Sequence, residues 1–308
     1  TEVHEDDFTA PLQRLGTYYC LSPAVTKLLY NQYGEEAFAM AAAFYERPAT
    51  AIRVNTLRTT DEELTDLLHT EGHSVRPGPW PHALLVEFNG SRAFVRGLFP
   101  VQGLASQFAA LCVGAQPGQK VADLCAAPGG KSLTLAECMQ NQGKLISGEY
   151  VESRVPLLRK AFARCGVTCA EAVQNDAAQL RSDWGKFDRI LCDVPCSGLG
   201  VIAKKPDIRY KDLDGIENLL LSQQKILQNG ADLLAENGRL VYSTCTVNRD
   251  ENEEQVKTFL ENNPRFHVAV PALQLPGMQQ GEYGTLFLPH KTATDGFFAA
   301  ILETESTQ

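Results

Sequence analysis

The sequence predicts an α/β protein: a doubly wound, mainly parallel sheet with a closing antiparallel hairpin, preceded by a small α+β unit. Three observations predict it. From about residue 100, strand-like runs alternate with amphipathic helical runs, the rhythm of crossover connections on a parallel sheet. The last two runs, Thr285–Leu288 and Phe297–Leu302, have no long helix between them and read as an antiparallel hairpin at the sheet edge. The first hundred residues lack that rhythm, which places one unit at 1–98 and the larger one at 99–308.

Each element has a local cause. After an acidic, loosely held opening (Glu2, Glu5, Asp6, Asp7), residues 22–46 read as helices. Ser22-Pro23 makes a helix start, and Leu28, Leu29 and Tyr33 recur at helical spacing. Ile52–Leu57 alternates like a strand. Asp61–His69 places Leu64, Leu67 and Leu68 on one helical face and stops at Gly72. A proline-rich stretch (Pro77, Pro79, Pro81) leads to a strand at Ala83–Phe88. In the larger unit, helix Gly103–Val113, strand Lys120–Cys125, helix Lys131–Gln140, strand Lys144–Glu149, helix Ser153–Cys165 and strand Thr168–Gln174 follow in turn. Strand Phe187–Asp193, helix Gly215–Leu234, strand Gly238–Thr244 and helix Glu251–Asn262 complete the alternation.

Composition narrows the class. At 44% hydrophobic and 21% charged residues, the 308-residue chain is neither disordered nor fibrous. No apolar run is long enough to span a bilayer, and no signal peptide opens the sequence, which begins at Thr1. Nine scattered cysteines suit free thiols in a reducing cytoplasm better than a disulfide framework. Cys165/Cys169 and Cys192/Cys196 are each separated by three residues, and His69/His73 have no cysteine partners, so no metal site is expected. The net charge of −9, from 28 basic and 37 acidic residues, argues against gripping nucleic acid by bulk electrostatics.

The run Val121–Ser132 is a strand, a tight turn of small residues and a helix start. Such a turn brings backbone N–H groups to a ligand at the positive end of a helix. A phosphate-binding loop would need glycine where Cys125 stands, and the dinucleotide pattern G-x-G-x-x-G is absent. S-adenosyl-L-methionine fits better, since it has no pyrophosphate. An acidic residue ending the second strand should then hold its ribose, and Glu149 stands there, 20 residues past Gly129. Asp123, Glu149 and Asp176 all end successive strands, on the rim where sheet ligands bind.

Two further strands end in cysteine motifs on that rim, Asp193-Val194-Pro195-Cys196 and Ser243-Thr244-Cys245. A pyrimidine carbon 5 attacks a methyl donor only after a thiolate has added to carbon 6. A base must then remove the carbon 5 proton so that the thiol leaves. One cysteine is needed for the addition, and a second can assist release. A carboxyl such as Asp193 could meet the exocyclic amine and ring nitrogen of cytosine, favouring it over uracil.

Together Asp123–Ser132, Asp193–Gly198 and Ser243–Thr246 resemble the Sun/Fmu family of RNA cytosine-5 methyltransferases, which have a Rossmann-like, adenosylmethionine-dependent sheet. The likeness runs from about Arg53 to the end and includes Phe99–Gln102, Lys205–Arg209, Asn252-Glu253 and Asp295–Phe298. It implies that Cys245 is the nucleophile and Cys196 the cysteine that assists product release. It implies cofactor contacts from Cys125, Ala126, Ala127, Pro128, Gly129, Gly130, Lys131, Glu149, Asp176 and Asp193, with Arg154 supporting the Glu149 region. Lys131 and Asp193 would also face the target base. Two departures stand out: Gly103 follows Gln102 where family members usually have an acid, and Glu149 stands where Asp is frequent. The N-terminal helical RNA-binding domain of the ribosomal RNA branch is also absent from this sequence.

The resemblance favours small-subunit ribosomal RNA as the partner. A transfer RNA enzyme, a methyltransferase acting on an amine or oxygen, and a non-catalytic ribosome-assembly factor are the alternatives. Base-rich segments are candidate RNA contacts: Arg47–Arg58 carries three arginines and no acid, while Lys204–Lys211 carries four bases against Asp207. Arg53, Asn55, Lys204, Lys205 and Arg209 are the residues expected there, giving weak, salt-sensitive binding by this chain alone.

Overall fold

The structure, a computed structural model, describes His4 and residues 10–87 and 90–304. The acidic opening (Glu2, Glu5, Asp6, Asp7) and the Phe88 end of one expected strand lie outside them.

Helix α1 (Pro23–Tyr33) begins where Ser22 Oγ accepts the Val25 N–H at 3.1 Å and proline fills a position that needs no N–H. Helix α2 is Glu36–Ala43. The buried faces of these helices (Val25, Leu29, Ala37, Met40) share one core with Leu199, Tyr242 and Leu286 of the larger unit. Tyr33 Oη donates to Val247 O at 2.5 Å, and Glu36 meets both His290 and Lys291.

Strands β1 (Thr50–Arg53), β2 (Ser74–Pro77) and β3 (Ala83–Glu87) make an antiparallel sheet of order β1-β3-β2. Helix α3 (Asp61–Thr70) starts with a reciprocal cap between Thr60 and Glu63. Its Leu64 and Leu68 close a separate small core with Ile52, Leu84, Val86 and Phe99. The expected strand Ile52–Leu57 is displaced: β1 stops at Arg53, because Val54 and Asn55 turn their N–H groups to His82 O and Leu98 O. Strand β2 ends on the first residue of the proline-rich stretch, Pro77. It is an edge strand, where Pro77 removes no donor that the sheet needs.

The larger unit runs helix α4 (Leu104–Cys112), β4 (Lys120–Asp123), α5 (Gly130–Cys138), β5 (Lys144–Glu149), α6 (Val155–Cys165), β6 (Ala170–Gln174) and β7 (Phe187–Asp193). It continues through α7 (Ile216–Leu233), β8 (Leu234–Thr244), α8 (Glu253–Asn262), β9 (Phe266–Ala269), β10 (Gln279–Gln280), β11 (Thr285–Phe287) and β12 (Phe297–Thr304). The sheet order is β10-β11-β12-β8-β7-β4-β5-β6, with β9 also on β12. Strands β4 to β8 pair in parallel, while β12 lies antiparallel between β8 and β11. The β11–β12 hairpin thus forms, but β10 takes the edge, and the short β9 and β10 were too brief to show a period.

Helices α4, α5 and α6 cover one face through Phe108, Leu135 and Leu158. Helices α7 and α8 cover the other through Ile226 and Val256, joined by Leu29 of α1. From β4 the chain builds β5 on one side and β7 on the other. A crevice opens outside the carboxyl ends at such a switch point.

Candidate active site

The loop between β4 and α5 is shaped by Gly129, whose φ of 108° suits glycine and whose Cβ would stand 3.1 Å from Leu158. Ala126 N donates to Gly148 O at 2.7 Å, laying the loop over β5. Beneath it, Ser132 Oγ donates to Asp123 Oδ2 at 2.7 Å and contacts Ser147 Oγ at 2.9 Å. Asp123 is fully buried, and burial pushes its carboxyl up to about 7 against the Ser132 hydrogen bond.

A cleft of about 560 Å³ lies over this rim. Cys125, Ala127, Glu149, Arg154, Asp176, Asp193, Cys196 and Cys245 all line it. Ala126, Pro128, Gly129, Gly130 and Lys131 do not: they shape the loop or stand behind its lining. Glu149 Oε1 accepts from Val151 N at 2.9 Å and Arg154 Nη1 at 3.4 Å, and Arg154 Nη2 reaches Ala127 O at 3.3 Å. Arg154 therefore ties the first loop to the second strand end. Asp176 caps its own turn through Ala178 N and Gln179 Nε2, both at 3.0 Å. Tyr150, Asn175, Ser222 and Ile226 also line the cleft and were missed. Only the four-residue spacing of Ser222 and Ile226, one turn apart on α7, could have signalled the last two.

The two cysteines meet because β7 and β8 are parallel and in register, Asp193 opposite Ser243, so their loops leave the sheet at one level. Cys196 Sγ and Cys245 Sγ are 3.3 Å apart. Ser197 Oγ and Thr246 Oγ1 join the loops at 2.7 Å, and Gly200 N donates to Cys245 O at 3.0 Å. A Cβ at Gly200 would lie 1.9 Å from Gly296 O, so this approach requires glycine. Asp193 accepts from Lys131 Nζ at 2.7 Å and Ser243 Oγ at 2.8 Å, which fixes its carboxylate beside the thiols. Burial opposes the Lys131 charge, but Asp193 outweighs it and holds the ammonium above its ordinary pKa.

The two thiols are unequal. Donation from Cys196 draws Cys245 below the ordinary thiol value, with Lys131 and Lys205 helping and burial and Asp193 opposing. Cys196 is pushed up by the same bond, then by burial, Cys245 and Glu251. Ionisation of the pair is therefore favoured at Cys245, and the proton is kept more firmly on Cys196. Glu251 is the residue that sequence reading overlooked, counted there only as the first residue of an expected helix. It is fully buried and accepts from Ser197 N at 2.7 Å, Gln223 Nε2 at 3.0 Å and Asn248 Nδ2 at 3.0 Å. Cys192, one residue before Asp193, is a buried residue of β7.

Two of the expected RNA contacts are corrected. Arg53 is 2% exposed and grips Glu137 through Nε at 2.9 Å and Nη2 at 2.5 Å. Asn55 is 5% exposed and donates to Gly97 O and Cys165 O. Both fasten the small sheet to the larger unit and present nothing to RNA. Lys204 pairs with Asp295 at 2.6 Å at the surface, Lys205 is exposed, and Arg209 is partly exposed. Among the described residues, no cluster of His, Cys, Asp or Glu is placed to hold a metal, and no helix is long and apolar enough to cross a membrane.

Comparison with known proteins extends this picture. The family of the 16S rRNA methyltransferase RsmB/F matches residues 110–303, and the ferredoxin-like domain of the RsmF/B-like methyltransferases matches residues 25–91. Probable ribosomal RNA small subunit methyltransferase B of Bacillus subtilis (strain 168) is 34% identical, over 95% of this chain and 68% of its own length. Ribosomal RNA small subunit methyltransferase F of Cronobacter sakazakii is 34% identical, over 82% of this chain and 56% of its own length. A solved methyltransferase homolog from Pyrococcus horikoshii is 25% identical and superposes with a TM-score of 0.84, over 96% of this chain and 100% of that one. NSun6 of the same organism, solved with SFG, shares the fold at a TM-score of 0.82 and 23% identity, over 98% of this chain and 99% of its own. The chain belongs to the 16S rRNA methyltransferase RsmB/F family and is an RNA methyltransferase.

Proposed function

We propose that this methyltransferase moves a methyl group from S-adenosyl-L-methionine to carbon 5 of a cytosine in small-subunit ribosomal RNA, through a covalent Cys245 adduct at carbon 6. The 3.3 Å pairing of Cys196 and Cys245 beside Asp193 and Lys131 carries this reading. The cleft suits the cofactor in its donor set. Glu149 and Asp176 offer carboxylates at successive strand ends, Val194, Pro195 and Ile226 offer apolar surface, and the Cys125–Lys131 loop closes the near side. When bound, S-adenosyl-L-methionine supplies an electrophilic methyl group.

The Cys245 thiolate adds to carbon 6, and the electron pair of the 5,6 double bond becomes available at carbon 5 for bonding to the methyl carbon. Asp193 and Lys131 hold the pyrimidine edge, the carboxylate toward the exocyclic amine. Once Cys245 is bonded to carbon, its negative charge is gone and the hydrogen bond that kept Cys196 protonated is lost. Cys196 can then release its proton to solvent and, as thiolate, take the carbon 5 proton; the electron pair of that C–H bond restores the 5,6 double bond and Cys245 leaves as thiolate. In this reading residues 99–308 perform the chemistry in the cytoplasm. Residues 1–98, with Lys204, Lys205 and Arg209, help to hold the RNA.

The test uses 16S rRNA transcribed in vitro and a labelled methyl donor. Cys245→Ala loses methyl transfer by about 10⁴-fold or more, the scale expected for removing a covalent nucleophile. Cys196→Ala accumulates a protein–RNA adduct that survives denaturing electrophoresis. Methyl transfer by Cys245→Ala at near the parent rate, or an adduct formed by Cys245→Ala instead, would overturn the assignment.

A further inference from the structure

Beside the Cys196 loop the surface carries an aromatic cluster that the proposed chemistry does not use. Tyr45 is 53% exposed and Tyr210 62% exposed, and the Arg209 guanidinium lies 4.8 Å and 5.7 Å from their ring centroids. These groups are held in place. Tyr45 Oη donates to Tyr19 O at 2.7 Å, and Ser22 N donates to Arg209 O at 2.8 Å. Lys211 Nζ donates to Ser197 O at 2.6 Å, one residue from Cys196. The cluster is thus tied to the loop that carries a reactive thiol.

We propose that Tyr45, Arg209 and Tyr210 form a stacking site for an unpaired base of the RNA strand that carries the target cytosine. The inference rests on the function proposed above and names a subsite for its substrate. A cytosine must leave its stack before a cysteine can reach carbon 6, and its neighbours then lose a stacking partner. Exposed aromatic rings and a guanidinium plane replace that partner without demanding a particular base. The surrounding charge suits a polyanion: residues 44–49 and 204–211 hold five bases (Arg47, Lys204, Lys205, Arg209, Lys211) against Glu46 and Asp207, in a chain of net charge −9. A cavity of about 520 Å³ opens at the Phe44–Arg47 segment, lined by Arg47, Arg76 and Lys204 against Glu46 and Asp295, and offers the phosphates a path with one base more than acid.

The test compares a fluorescent 12-nucleotide oligocytidylate with an abasic ribose-phosphate chain of the same length, by anisotropy on the full chain. Tyr45→Leu and Tyr210→Leu should each raise the oligocytidylate Kd about tenfold, within the range for losing one stacked base, and leave the abasic Kd unchanged. Tyr210→Trp should retain or improve binding, which a merely destabilised variant would not do. With 16S rRNA as methyl acceptor, the leucine variants should raise KM and spare kcat. Unchanged oligocytidylate binding, or an equal loss on both probes, overturns the stacking site. So does loss of binding to 30S subunits with oligocytidylate binding intact, which would mark a protein-docking surface. If the parent chain distinguishes the two probes but forms no Cys245 adduct, the catalytic reading fails and the stacking site stands.

Discussion

Two cation–carboxylate pairs in this chain have similar chemistry and opposite uses. Arg53 and Glu137 are 2% and 6% exposed, joined by two hydrogen bonds, with a third from Arg53 to Pro81 O. Lys131 and Asp193 are 13% and 25% exposed, and the second Asp193 oxygen is held by Ser243 beside the two thiols. The first pair is closed and bolts the small sheet to helix α5 of the larger unit. In the second, Asp193 opens on the cleft, so its carboxylate can act on a ligand while Lys131 stands behind it. A residue's chemical type did not separate them; the direction in which its polar atoms face does.

Breaking each pair should therefore give opposite phenotypes. Asp193→Asn, which keeps the shape and removes the charge, should lower methyl transfer by about 10³-fold while leaving the urea midpoint near that of the parent. Arg53→Met leaves Glu137 buried and uncompensated, and should destabilise the fold by about 3–5 kcal/mol in urea titrations. Methylation per folded molecule should be unchanged. If Arg53→Met instead weakened RNA binding in the fully folded protein, the closed character of that pair would be refuted.

This contrast also marks what was legible in the sequence. The alternating sheet, the small-residue loop over its rim and the placement of both cysteines on that rim were readable, because strand ends, a tight turn and a thiol each leave a local signal. Arg53 and Asn55 were misplaced because their partners, Glu137 and Cys165, lie 84 and 110 residues away, and nothing local distinguishes an arginine facing RNA from one facing a buried glutamate. The same distance hid Glu251, whose carboxylate reaches back 54 residues to Ser197 N. Strands β9 and β10 were lost for another reason: four and two residues are too few to display a period of two.

A smaller effect is expected at Glu251, which sharpens the difference between the two cysteines. Glu251→Gln keeps an acceptor for Ser197 N but removes a carboxylate that helps hold the Cys196 proton in place. The Cys196 pKa should fall, so the pH midpoint for resolving the adduct should move down while adduct formation through Cys245 is little changed. Rapid-quench measurements of adduct decay against pH would show this. A fixed midpoint together with slower adduct formation would mean that Glu251 serves only to hold the loops.

Asp123 extends the comparison to a carboxylate with no cation bonded to it. Burial lifts its pKa from an ordinary 3.8 to about 7, although Ser132 donates to one oxygen. Between these values the folded chain binds more protons at this site than the unfolded chain, so Asp123 makes stability fall as pH rises through that window. Above about 7 the penalty is complete; below 3.8 it vanishes because both states are protonated. Asp123→Asn keeps the acceptor for Ser132 and removes the ionisation. It should flatten the slope of unfolding free energy between pH 4 and 7, measured by urea titration, with little effect at the acid end. Arg53→Met should leave that slope in place. An unchanged slope in Asp123→Asn would place the ionisation elsewhere and show that Lys131, whose charge favours the Asp123 carboxylate, offsets its burial without touching it.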